Sequence, residues 1–222
     1  MREIKVVVKT IDWGYLEEEF QSLLLSLYPE RKKAVEKLNN QKAKLTSMAT
    51  GLLLQEIVKN ELGIEPSELT IAKGEQGKPY VEGCESFFFN ISHSGDKVAI
   101  AYGDSPVGVD LEYIRCGKND LKVAKRCFKE EEYRFITDEC WELDAAGNSH
   151  SVEERFFMVW TMKEAYLKYN GTGISVPMNS FCVRPYEGII DGEKLKCEPV
   201  VINDYVCSVC VQEGVEVTLC LE

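Results

Sequence analysis

The chain has 222 residues, 45% hydrophobic and 28% charged, with a formal net charge of −11. That composition suits one or two globular domains and excludes disorder, a collagen-like repeat or a coiled coil as the overall description. The acidic balance argues against a general nucleic-acid binder, which needs a basic surface to displace counterions, and no apolar run approaches the roughly 18 residues that cross a bilayer.

The N-terminus, Met1-Arg2-Glu3-Ile4-Lys5, lacks the apolar stretch of a signal peptide, so a cytoplasmic protein is expected. Ile4 to Thr10 is rich in β-branched residues and reads as a strand. Leu16, Phe20, Leu24 and Leu27 recur at helical spacing, which predicts an amphipathic helix over Asp12 to Leu27. Pro29 opens a short basic helix; Arg31, Lys32, Lys33 and Lys37 lie there, with Lys42 and Lys44 just beyond. A longer helix follows, with the apolar stripe Leu45, Met48, Ala49, Leu52, Leu53 and Ile57 and a stop at Gly63. Leu69 to Ala72 is a short strand candidate. In the loop after it, Gly77-Lys78-Pro79 sets a lysine beside a fixed turn, without the glycine spacing of a P-loop.

Three strands are predicted next: Phe87 to Ser92, Lys97 to Tyr102 and Val107 to Glu112. On the third, Asp110 and Glu112 share one face. Two carboxylates so close repel unless a cation lies between them, and hard oxygen ligands suit Mg²⁺. The same alternation also describes the plain polar face of an amphipathic strand. Asn90-Ile91-Ser92-His93-Ser94-Gly95 gathers hydroxyls, an imidazole and a turn, either a phosphate cradle or a hydrogen-bonded strand end. A Ser-His nucleophilic pair is a poor reading, because adjacent residues on a strand diverge.

A basic helix is expected over Asp120 to Phe128; Lys118, Lys122, Lys125, Arg126 and Lys129 make it a solvated face or an anion site. An acidic helical piece begins at Glu130. Asp138 to Ser151 reads as a mobile polar insertion, with His150 solvated. Ser151 and Glu154 form a capping box for a helix carrying Phe156, Val159, Trp160 and Leu167 and ending at Gly171. Glu164 and Lys168 stand one turn apart on it. They are either a surface ion pair, or a metal ligand or base beside a phosphate-holding lysine. Strands follow at Ser180 to Arg184, Leu195 to Ile202, Tyr205 to Val211 and Val215 to Leu221. The nine cysteines read as reduced thiols; Cys207 and Cys210 fall on opposite faces of a strand, with no second pair to complete a zinc site.

The order of four motifs is specific: Gly77-Lys78-Pro79, then Asn90-Ile91-Ser92-His93-Ser94, then Gly108-Val109-Asp110-Leu111-Glu112, then Trp160-Thr161-Met162-Lys163-Glu164-Ala165 with Lys168. Over roughly residues 29–185 the chain resembles the phosphopantetheinyl transferases of the surfactin-synthetase-activating type. The resemblance implies an α+β fold, a pseudo-dimer of two similar α+β halves with the active site at their interface. It places a coenzyme A-binding half at 1–105 and a Mg²⁺-binding, catalytic half at 106–222. It implies transfer of phosphopantetheine from coenzyme A to a serine of an apo carrier protein, releasing adenosine 3′,5′-bisphosphate. By similarity, Asp110, Glu112 and Glu164 are the Mg²⁺ ligands, Glu164 also orients or deprotonates the serine, and Lys168 neutralises phosphate charge. Ser92, His93, Lys78 and Arg31 are the contacts to the nucleotide phosphates. Where the family often has Arg before Ser or Thr in the long second helix, this chain has Thr46-Ser47, with Lys42 and Lys44 nearby. The expected partner is an acidic acyl or peptidyl carrier protein, met through the Lys122–Lys129 helix, with no nucleic acid, no membrane and a monomeric enzyme. A Mg²⁺-dependent phosphohydrolase acting on coenzyme A and a non-catalytic carrier-binding module are the alternatives.

Overall fold

The computed structural model describes residues 2–222 apart from Glu75, Cys116, Lys118, Asn119 and 139–148, and only the backbone of Ile174. The strand β1 (Glu3–Thr10) leads into helices α1 (Trp13–Glu18), α2 (Phe20–Ser26), α3 (Pro29–Lys37) and α4 (Gln41–Leu62). A small hairpin, β2 (Ile71–Lys73) and β3 (Pro79–Val81), precedes β4 (Phe88–Ser94), β5 (Lys97–Gly103) and β6 (Val107–Tyr113). Then come α5 (Asp120–Cys127), α6 (Glu130–Thr137) and α7 (Val152–Asn170), two single 3-10 turns, and β7 (Val183–Arg184), β8 (Ile189–Ile190), β9 (Leu195–Ile202), β10 (Tyr205–Gln212) and β11 (Glu216–Leu221).

Alternation on the strands builds four layers. The first sheet has the order β11-β1-β5-β4 and the second β6-β10-β9-β8-β7. One face of the first sheet (Val7, Phe89, Val98, Ile100, Tyr102) packs on the α4 stripe of Leu45, Met48, Leu53 and Ile57. Its other face (Ile4, Val6, Val8, Ala99, Ala101) packs on Val107, Val109, Leu111, Cys207 and Val209 of the second sheet. The far face of that sheet, including Val206 and Cys210, packs on α7. The molecule is therefore a pseudo-dimer of two α+β halves, each a sheet covered by one long helix, joined sheet to sheet. Cys207 and Cys210 belong to different layers, as the strand alternation requires. The final strand crosses back, and β11 runs parallel to β1 at the edge of the first sheet.

Some expectations are corrected. The helix over Asp12 to Leu27 is two helices separated at Glu19; the bend turns Leu16 and Leu24 alike into the core beside α4. The loop before Pro79 is the turn of the β2–β3 hairpin, with Pro79 opening a strand, where a missing N–H is tolerated. The segment Ser180 to Arg184 is strand only at its end, where it pairs with β8. His150 is not solvated: its side chain is 11% exposed and Nδ1 lies 3.7 Å from Glu154 Oε2. Most of the insertion at Asp138 to Ser151 lies outside the described residues. Among the described residues no helix is long and apolar enough to cross a membrane.

A buried ion pair fixes α7 in its half. Lys163 Nζ lies 2.7 Å from Glu132 Oε1 of α6, and neither side chain has exposed surface. The ammonium also donates to the carbonyls of Met178 and Phe181, while Glu132 accepts from the Lys129 and Val183 amides. Burial pulls the Lys163 ammonium down, and Glu132 opposes that pull. Removing one partner strands the other charge, so Lys163→Met is expected to lower the unfolding free energy by about 3–5 kcal/mol. Urea denaturation checks this; a loss below about 1 kcal/mol, the scale of an exposed pair, would contradict it.

Candidate active site

Strand β4, an edge of the first sheet, runs beside β6, an edge of the second. Side chains bridge this seam. Asn90 Oδ1 accepts from the Val109 amide at 2.9 Å. Ser92 Oγ donates to Asp110 Oδ1 at 2.9 Å, and Ser94 Oγ donates to Glu112 Oε2 at 2.8 Å. The two-residue period of both strands matches the last two pairs, 92 with 110 and 94 with 112, while Asn90 takes a backbone amide of β6. Asp110 and Glu112 thus do share a face, the one under α7, and Ser92 and Ser94 of the other half reach it across the seam.

Helix α7 supplies the rest. It lies so close to β6 that a Cβ on Gly108 would stand 2.0 Å from the Ala165 carbonyl oxygen and 2.5 Å from the Tyr169 nitrogen. From that height Lys168 Nζ reaches Asp110 Oδ1 at 2.7 Å and Ser92 Oγ at 3.0 Å. A second tether, the Thr161–Ser208 hydroxyl pair at 2.6 Å, ties the helix to β10. Glu164, one turn before Lys168, is half-buried.

The electrostatics are those of crowded carboxylates. Asp110 is 5% exposed; burial pushes its carboxyl up, against Lys168 and Ser92. Burial also raises Glu112, opposed by Ser94 and reinforced by Asp110. Burial, then Asp110, raises Glu164, with Lys168 opposing and Glu112 adding. The three acids, from β6 and α7, therefore act on one another. Beside them His93 is pulled below its usual value by partial burial, then by the Lys168 and Arg31 cations.

Two models of the 4′-phosphopantetheinyl transferase family match consecutive parts of the chain. The N-terminal domain model covers residues 11–104, and the superfamily model covers 106–210. Among curated relatives, the 4′-phosphopantetheinyl transferase gsp of Aneurinibacillus migulanus is 33% identical over 198 residues, 86% of this chain and 78% of the relative. The 4′-phosphopantetheinyl transferase Sfp of Bacillus subtilis is 26% identical over 77% of this chain and 72% of its own length. The psf-1 enzyme of Bacillus pumilus is 40% identical over 60% of this chain and 53% of its own. The chain belongs to the 4′-phosphopantetheinyl transferase superfamily. The matches to Sfp and gsp place it with the surfactin-synthetase-activating type.

Within this family member, the expected site residues fall in three groups. Asp110, Lys168 and Ser92 meet at the seam, Glu112 lies beside them on Ser94, and Glu164 stands near enough for Asp110 and Lys168 to act on its charge. Arg31 reaches across α4: Nε donates to Tyr28 Oη at 3.0 Å and Nη1 to Ser47 Oγ at 3.4 Å. The helix has room for it because position 51 is glycine; a Cβ there would stand 2.4 Å from Arg31 Cγ. Arg31 thus brings its charge to Ser47, the position before which the family often carries arginine. Lys78 sits between the halves, donating to the Val107 and Tyr169 carbonyls at 2.9 Å each, and burial draws its ammonium down to about 8. Two of its three N–H groups are thereby committed to backbone. On α5, Lys122, Lys125 and Arg126 are exposed, Leu121 is 42% exposed, and Val123 packs on the core; the helix stops at Cys127, so Phe128, buried, follows it and Lys129 caps α6 instead; Lys118 lies outside the described residues.

Among the described residues no three acidic, His or Cys side chains stand as a ready metal cluster. The donor set nevertheless fits a hard divalent ion: all three acids offer oxygen, and Asp110 Oδ2 is buried with no hydrogen-bond partner. Sequence reasoning singled out the motif from Asn90 to Gly95 but missed the cross-strand partners of Asn90 and Ser94, and it missed Gly51 and the tether between Thr161 and Ser208. The Ser92-His93-Ser94 pattern was the available signal for Ser94; for Gly51, only a glycine inside an apolar helix.

Gly108→Ala is expected to lift α7 off β6. We expect a loss of about 1–3 kcal/mol of stability and, from misplacement of Glu164 and Lys168, about 100-fold in transfer rate. Thermal melts with intact-mass assays check both; unchanged transfer would contradict the close-approach account.

Proposed function

We propose that the chain transfers 4′-phosphopantetheine from coenzyme A to a serine hydroxyl of an apo acyl or peptidyl carrier protein in a Mg²⁺-dependent reaction. The observation that carries the reading is Asp110, a buried carboxylate with one unpartnered oxygen, held from one half by Ser92 and from the other by Lys168, in a member of this family. Asp110, Glu112 and Glu164 would hold the ion. Mg²⁺ bound there supplies positive charge that offsets the pyrophosphate and polarises its oxygens.

The protein's own residues do the rest. The serine oxygen attacks the phosphorus that bears the pantetheine arm. The bond from that phosphorus to the oxygen of the nucleotide's 5′-phosphate breaks, and adenosine 3′,5′-bisphosphate leaves with that oxygen. The serine proton passes to Glu164, directly or through a water. Lys168 meets the charge that builds on the leaving bisphosphate. Arg31 and His93 form the cationic side that receives the 3′-phosphate, with the third N–H of Lys78 added to them; the one proton of Ser92, expected there, goes to Asp110 instead. Residues 1–105 carry most of this nucleotide side and 106–222 the carboxylates, so one chain holds a complete site and a monomer suffices in the cytoplasm. The exposed Lys122, Lys125 and Arg126 of α5 follow β6 directly and would steer an acidic carrier protein, with an on-rate that falls as salt rises.

With coenzyme A, Mg²⁺ and a panel of apo carrier proteins, intact-mass spectrometry should show one phosphopantetheine gained on at least one carrier. Asp110→Ala and Glu164→Ala should each abolish that gain while circular dichroism is unchanged. Wild-type rates in either variant, or cleavage of coenzyme A with no carrier present, would overturn the assignment.

A phosphate set beside His93 favours the imidazolium. The free imidazole sits below its usual value, so it is mostly neutral at about pH 7, and coenzyme A binding must draw in a proton. Calorimetry in buffers of different ionisation enthalpy should therefore show more proton uptake for the wild type than for His93→Gln. 3′-Dephospho-coenzyme A should abolish the difference. Equal uptake in both proteins would remove His93 from the phosphate site.

A further inference from the structure

We propose that Ser94 is a positioning residue: its hydroxyl fixes the Glu112 carboxylate for the divalent ion. The inference rests on the reading of Asp110, Glu112 and Glu164 as the ion's ligands and adds a residue that orients one of them.

The geometry leaves the hydroxyl no freedom. A serine oxygen has one proton and two lone pairs. In Ser94 the oxygen accepts the Tyr113 amide at 3.1 Å, and the proton points to Glu112 Oε2 at 2.8 Å. Both partners lie on β6, across the seam from Ser94. One hydroxyl therefore reads the backbone and the side chain of β6 together and sets the Glu112 carboxylate relative to its own strand. The other glutamate oxygen is left for a ligand's role.

The turn that carries Ser94 is itself anchored across the seam. Tyr205 of β10 donates its hydroxyl proton to Asp96 Oδ1 and accepts the Asp96 amide at 3.0 Å. A Cβ on Gly95 would stand 2.3 Å from that same tyrosine oxygen. The Tyr205 ring packs edge-on against Tyr113, with centroids 5.2 Å apart, beside the amide that Ser94 accepts. Ser94, Asp96 and Tyr205 thus lock the end of β4 to the end of β6, and Glu112 is the acid nearest that lock in sequence. Partners that orient a metal ligand are typically worth about 10–100-fold in ion affinity.

Mn²⁺ is the probe, titrated by electron paramagnetic resonance into the full chain with coenzyme A and without any carrier, so that binding is read apart from catalysis. Ser94→Ala should weaken Mn²⁺ about tenfold. Ser94→Thr, which keeps the hydroxyl, should stay within about twofold of wild type, and Ser94→Cys, a weak donor, should fall between. In a Glu112→Gln background Ser94→Ala should add less than about twofold, because the serine acts only through that carboxylate. A purely structural serine would add its full effect there, and that result would overturn the proposal. So would wild-type Mn²⁺ affinity in Ser94→Ala. Should Ser94→Ala not fold, the Thr and Cys variants decide alone, and equal affinity in those two would overturn it. Asp110→Asn separates the two levels: if it still binds Mn²⁺ as wild type does, the ligand assignment itself fails. If it loses Mn²⁺ while Ser94→Ala does not, only the role of Ser94 fails.

Discussion

A carboxylate placed almost out of reach of water needs positive charge or hydrogen-bond donors, and most of the site follows from how Asp110 meets that need. Its β6 neighbours Val109 and Leu111 are core between the two sheets, so the strand cannot turn Asp110 outward without exposing them. The acid must be satisfied where it is. Ser92 arrives from the first half and Lys168 from α7 of the second, and both bond to the same oxygen. An isolated buried charge costs several kcal/mol; the Asp110–Lys168 pair, formed within the second half, avoids that cost, and Ser92 is what the first half adds to it.

The same oxygen economy explains why the site suits a divalent ion. Lys168 satisfies one oxygen of Asp110 and leaves Oδ2 without a partner. Glu112 and Glu164 add two more acids, each raised by burial and by its neighbours. A hard cation relieves all three at once. On the opposite side stand Arg31 and His93, cationic or ready to become so. On the proposed reading, a pyrophosphate nucleotide would meet positive charge at its phosphates and the ion at the bond to be broken, inside a chain whose net charge is −11.

Local pattern made much of this readable. The β-branched alternation of β1, β5, β6 and β10, the stripe of α4 and the capping box of α7 are decided within a few residues, and each stands where the periodicity puts it. Asp110 with Glu112, and Glu164 with Lys168, were legible as pairs because strand and helix periods set them on common faces. What was not legible depends on partners far away in the chain. Nothing near Glu19 announces the break between α1 and α2, since the reason is the surface of α4. The return of β11 to β1 is set by closure of the whole fold. Ser94, Asn90, Gly51 and Tyr205 have ordinary local environments, and their roles exist only once the other strand or helix is laid against them. Lys78 shows the converse: its motif was visible, yet two of its donors hold the seam through backbone carbonyls.

The central claim is that the three acids from β6 and α7 converge on one divalent ion beside the pyrophosphate of coenzyme A. A crystal of the chain grown with Mn²⁺ and coenzyme A, with anomalous scattering collected at the manganese edge, tests it most directly. The account predicts a single strong peak at the seam, bonded to oxygens of Asp110, Glu112 and Glu164 and to the pyrophosphate. Coenzyme A bound with no peak there, or a peak held by other residues while Asp110 keeps only Ser92 and Lys168, would contradict it.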